Sequence, residues 1–171
     1  KLCTREGHSC AFIPGLSTAP GDSHAFVQFI DGERGLSHYE RFAVGDFSWT
    51  PEPFTVRVGP NRFGAEGLSV DMGNAAAAFS GSVSFGPWTP YPSGFLRPGI
   101  MGPFGLAGFL ECYHGVVSAN HGLQGRLSTR VGSSGAVDWN VDGGKGYVEK
   151  DWGRSFPRDY VWMQANSFPA A

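Results

Sequence analysis

The sequence predicts an all-β protein, an antiparallel barrel or a strongly curved sandwich, and three observations carry that expectation. Short segments that alternate apolar and polar residues recur along the chain, each bounded by Gly, Pro, Asn or Asp. No stretch offers a convincing helix longer than two turns. Composition is the third: 41% of the 171 residues are hydrophobic and only 16% charged, against roughly 25% charged in an ordinary soluble domain. A chain of this kind buries much of its surface or lines a cavity with it, and one domain spanning 1–171 is long enough to do so.

The elements follow in order. Residues 23–30 (Ser-His-Ala-Phe-Val-Gln-Phe-Ile) read as a strand, 31–35 (Asp-Gly-Glu-Arg-Gly) as the turn after it, and 37–44 as the returning strand. Residues 54–58, 67–72 and 79–85 alternate with period two, which suits half-buried strands. Residues 74–79, with four alanines, are the one short helical candidate. Residues 87–103 form a Pro/Gly-rich stretch of the length usual for lids, mouths or binding loops. Further strands are expected at 109–119, 123–130, 146–152 and 160–166, with a turn around Asn120-His121.

Several function classes drop out. A net charge of −2 with 13 scattered Lys and Arg provides no basic stripe for nucleic acid. No apolar run approaches the roughly 20 residues of a membrane-spanning helix; the longest, 100–110, is interrupted by Pro103 and by Gly102, Gly105 and Gly108. Gly-x-Ser-x-Gly, P-loop and dinucleotide-binding patterns are missing. Three cysteines (Cys3, Cys10, Cys112) are an odd number and favour a reducing, cytoplasmic setting, although spacing alone leaves a Cys3–Cys10 bridge open. The start is polar, without an initiator Met or an apolar signal core, and is read as that of a fragment of a longer protein.

Two segments carry candidate chemistry. In the strand expected at 146–152, Tyr147, Glu149 and Asp151 share one face, and Val148, Lys150 and Trp152 the other. Two carboxylates about 7 Å apart on one strand face would, if both were enclosed, repel each other and hold one protonated as a proton donor. A wet face, with both acids paired to Arg154 or Arg158, is the competing reading. In the strand expected at 109–119, Glu111 and Tyr113 share a face, a candidate acid–base pair, and Cys112 and His114 the other. A Glu at a barrel rim, bonded to backbone, fits the same pattern. Cys112, His114 and His121 are ligand types that suit zinc, but their spacing matches no compact zinc pattern, and no metal is expected. His24 is read as structural or pocket-lining.

The blocks Pro98-Gly99-Ile100-Met101-Gly102, Glu111-Cys112-Tyr113-His114-Gly115 and Gly144-Lys145-Gly146-Tyr147-Val148-Glu149-Lys150-Asp151-Trp152-Gly153-Arg154-Ser155-Phe156-Pro157, the last continuing to Trp162-Met163-Gln164-Ala165-Asn166, resemble the signature blocks of the tocopherol cyclase family. Residues 11–15 and 24–32 resemble that family's early strands, so the likeness spans nearly the whole chain. It implies a lipocalin-like, calycin-type β-barrel, here incomplete because members are longer and carry a further C-terminal half. It also implies an isomerase of the intramolecular lyase type, which closes a prenylated hydroquinone into a chromanol without metal or redox cofactor. An acid would protonate the prenyl double bond nearest the ring, and the phenol oxygen would capture the tertiary cation. On this basis Asp151 or Glu149 is the expected acid, with Glu111 and His114 as partners. Tyr113, Tyr147, Trp152 and Trp162 would form an aromatic wall, worth about 1–2 kcal/mol per ring facing the cation, with Lys150, Cys112 and His24 also against the substrate. The expected partner is an isoprenoid or other lipid, not nucleic acid, with peripheral contact to a membrane. A non-catalytic isoprenoid carrier and a double-bond hydratase are the alternatives, since barrels of this kind serve any of these purposes.

Overall fold

The computed structural model describes residues 1–94, 98–133 and 135–155. Those residues form β1 (Leu2–Cys3), β2 (Ser9–Ser17), β3 (His24–Asp31), β4 (Leu36–Phe42), β5 (Phe47–Pro51), β6 (Phe54–Val58), β7 (Asn61–Gly64), β8 (Gly67–Gly73), β9 (Ala77–Phe85), β10 (Cys112–Val131), β11 (Val137–Asn140) and β12 (Lys145–Gly153), with short 3-10 turns at Val44–Asp46 and Gly102–Leu106. The protein is all-β. Its strands pair in the order β4-β3-β2-β1-β12-β10-β9-β8-β7-β6-β5, with β11 on β10, and each ladder with a defined register is antiparallel. β4 and β5 end this path, so the sheet does not close into a barrel. Among the described residues no helix is long and apolar enough to cross a membrane, which says nothing of a strand-built crossing. The expected strand at 160–166 lies outside the described residues.

The chain divides into two compact units, the first made of Lys1–Gly86 with Gly122–Gly146, the second of Pro87–His121 with the chain from Tyr147 onward. The first unit owns the hydrophobic core. β3 shows why: His24–Asp31 alternates strictly, and Ala25, Val27 and Phe29 are buried against Val58, Val70, Phe79, Leu127 and Val141. Phe79 is the hinge of the packing, its ring centroid 4.9 Å from Phe29 and 6.2 Å from Phe12. Buried side chains from these strands pack together in one cluster. The turn after β3 forms as the sequence predicts, since buried Asp31 accepts the Glu33 and Arg34 amides at 3.0 Å each and Gly35 takes φ +64°.

One candidate element and one expected turn are not found here. Residues 74–79 are not helical: Asn74 Oδ1 accepts the amides of Ala76 (2.7 Å) and Ala77 (3.2 Å), closing a turn that starts β9 at Ala77. The expected turn at Asn120-His121 is absent as well, and β10 runs unbroken for 20 residues. All three cysteines are free thiols, and burial pushes Cys10 up to about 12.

Candidate active site

The candidate chemistry gathers in the second unit, on the first half of β10 and the second half of β12. The end of β12 is held where β10 begins: the Arg154 amide donates to the Glu111 carbonyl at 2.8 Å, and a Cβ on Gly153 would come within 2.6 Å of the Cys112 Cα. That close approach brings the two strand ends together. His114 Nδ1 then stands 2.7 Å from Asp151 Oδ1, and His114 Nε2 stands 3.8 Å from Glu149 Oε2. One imidazole thus lies between the two carboxylates that alternation places on a common face.

Burial differs along this group. The side chains of Asp151, His114 and Glu149 are 45%, 31% and 28% exposed, so the acids are not enclosed among the described residues, as a closed hollow would require. Glu149 Oε2 is itself inaccessible and accepts no hydrogen bond from the described residues. Beside it Tyr147 is buried; burial, then the neighbouring Glu149 carboxylate, push the phenol pKa well above the usual range. Across the strand, the Tyr113 and Trp152 rings stack at 5.6 Å and 12°, with Lys150 Nζ 4.9 Å from the Trp152 ring centroid. Glu111 takes another role: its carboxylate accepts the Ser155 hydroxyl at 2.7 Å. Cys112 is a half-buried thiol at the head of β10.

His114 and Trp152 open onto a cleft of about 230 Å³, closed on other sides by Tyr91, Pro98, Ile100 and Val116. The cleft wall is pinned to β10 at two points: the His114 amide donates to Met101 Sδ at 3.1 Å, and the Tyr113 hydroxyl donates to the Ala107 carbonyl at 2.7 Å. The walls are mostly apolar, and of the acid–imidazole pair His114 alone lines the cleft, with Asp151 bonded behind it, which suits an apolar ligand beside a group that can move a proton.

No protein-family model, curated protein or solved structure matches the chain. Among those expected at the site, the structure brings together His114, Glu149, Asp151 and Tyr147 on one side, and Tyr113, Trp152 and Lys150 on the other. Trp162 lies outside the described residues.

His24 belongs to the first unit. Its Nε2 is 2.8 Å from the Tyr39 hydroxyl, its Nδ1 is 2.8 Å from the Asp22 carbonyl oxygen and 2.9 Å from Arg41 Nη2, and Arg41 pairs with Asp22, whose carboxyl it holds below the usual range. His121 lies within β10, where its ring faces Trp88 at 6.0 Å and its Nδ1 meets the buried Ser118 hydroxyl at 2.9 Å. No group of three or more His, Cys, Asp or Glu able to hold a metal occurs among the described residues. Reading by period missed Tyr91 and Met101, because neither sits in an alternating segment. A Tyr framed by Pro90 and Pro92, rigid on both sides, was the available signal for the first.

Proposed function

We propose that the second unit binds a prenylated hydroquinone in this cleft and isomerises it to a chromanol by acid catalysis, as a tocopherol cyclase-like enzyme. The observation that carries this reading is His114, hydrogen-bonded to Asp151 at 2.7 Å and lining an apolar cleft beside Glu149.

Each residue has one task. Asp151, bonded to His114 at the edge of the cleft, is the acid that gives a proton to the prenyl double bond. The tertiary cation forms beside the Trp152 and Tyr91 rings that line the cleft. The phenol oxygen attacks the cation, a C–O bond forms, and the phenolic proton passes to His114 Nε2. The Nδ1 proton then moves to Asp151 and restores the acid, Glu149, 3.8 Å from Nε2, stabilises the transient imidazolium, and proton exchange with water returns the imidazole to its Nδ1–H form with Nε2 free. Substrate and product have the same mass, and no electrons leave or enter.

A carrier that holds an isoprenoid without altering it is favoured by a different observation, the 45% exposure of Asp151. Incubation with a prenylated hydroquinone followed by mass spectrometry and chromatography separates the readings. Cyclisation gives a new compound of unchanged mass, hydration adds one water, and a carrier returns the starting material. Asp151→Asn is expected to lower turnover by at least about 10²-fold while substrate still binds; full activity in that variant rejects Asp151 as the acid.

A further inference from the structure

The loop that forms one wall of the cleft also carries the most exposed large apolar side chains described in the second unit. Phe104, Leu106 and Phe109 are 64%, 77% and 76% exposed, far more than isolated surface hydrophobics need be, and they lie within six residues of one another. The whole stretch 98–110 contains no ionisable side chain. A water-facing loop gains nothing from such a composition.

Hydrocarbon is the partner that matches. The difficulty for any loop near a bilayer is its backbone, whose polar groups need partners where water is scarce. This loop supplies several of its own: Gly102 N–H bonds the Gly99 carbonyl at 3.1 Å, Ala107 N–H the Phe104 carbonyl at 3.0 Å, and Leu110 N–H the Ala107 carbonyl at 3.2 Å. The bonds from Tyr113 and His114 to Ala107 and Met101 hold it in place, so little ordering remains to be done on contact. Its rim is amphipathic in the way bilayer interfaces favour. Trp152 is half-exposed with Lys150 over its ring, an indole for the interface and an ammonium for phosphate.

We infer that the 98–110 loop docks on a lipid surface, with Phe104, Leu106 and Phe109 entering the boundary between headgroups and acyl chains. The neighbouring Pro98 and Ile100 line the cleft, so docking places its mouth at the membrane, where an isoprenoid substrate resides. The purpose of docking rests on the function proposed above; the docking itself does not.

The test is flotation of the whole chain with uncharged phosphatidylcholine vesicles, for wild type and for the double variant Phe104→Ser, Phe109→Ser. Wild type is expected to float with the vesicles and the variant to partition at least tenfold less, with Leu106→Ser in between. Equal urea midpoints for all three chains establish that the variants fold. Failure of wild type to float, or equal flotation of all three, overturns the inference; so does a wild-type dimer that the double variant abolishes, since the face then belongs to a second copy. Turnover in detergent separates this from the functional reading. Loop-dependent flotation without any turnover leaves docking standing and removes the cyclase. Equal turnover of wild type and double variant in detergent, with only the variant failing on vesicle-embedded substrate, supports both.

Discussion

At the scale of single residues, burial and hydrogen bonding decide which side chains are structural. Asn61 is fully buried in β7, yet both ends of its amide are used: Nδ2 donates to the Val58 carbonyl at 3.0 Å, and Oδ1 accepts the Asp71 amide at 3.1 Å. Asn61→Ala is expected to cost about 2–3 kcal/mol, because it removes two bonds and strands two backbone groups; a urea midpoint equal to wild type contradicts that role. The candidate site was partly legible at the same scale. Strand period alone puts Tyr147, Glu149 and Asp151 on one face, and all three are found in the group around His114. The position of His114 between the carboxylates was not legible. It depends on how β12 lies against β10, segments more than 30 residues apart that approach closely at Gly153, and no local pattern encodes that pairing. Exposure was equally hidden, since alternation says which residues share a face but not whether that face is covered.

At the scale of elements, the β9–β10 ladder shows how glycine sets a pairing. Gly81 and Gly125 adopt φ +124° and +138° and stand opposite Leu127 and Val83. A Cβ on Gly81 would meet the Arg126 carbonyl oxygen and lie 2.9 Å from the Leu127 Cα; on Gly125 it would meet the Ser82 carbonyl oxygen and lie 2.9 Å from the Val83 Cα. Both the backbone angle and the space exclude a side chain. Gly122, in the same strand, has open space around it. Gly125→Ala is therefore expected to destabilise the chain by about 2–4 kcal/mol, and Gly122→Ala by less than about 1 kcal/mol. Thermal unfolding of the two variants measures the contrast, and equal losses would mean the close approach is not what holds the ladder. The same element explains a misreading. Asn120-His121-Gly122 has the composition of a turn, but Asn120 pairs with Thr89 and the Gly122 carbonyl accepts the Gly86 amide, so tertiary pairing keeps the strand extended. Where pairing and local preference agree, as at Asp31 to Gly35, the sequence reading and the structure coincide.

At the scale of the whole molecule, β10 is the element that both units draw on, so whatever governs its formation governs the chain. His121 sits within it, 3% exposed, and burial lowers its pKa from 6.5 to about 4. The folded protein therefore keeps this imidazole neutral across a range in which the unfolded chain protonates it. Between those two values the unfolded state binds the extra proton, so stability rises with pH and is lost as pH falls toward about 4. Between pH 7 and pH 5, a range in which ordinary carboxylates contribute little, the expected loss from this group is about 2 kcal/mol. Urea midpoints across that range, for wild type and for His121→Gln, isolate the contribution, because the other four histidines are common to both chains. The variant should lose most of that slope. A slope that survives the substitution would assign the acid sensitivity to another group, and β10 would then owe nothing to a neutral His121.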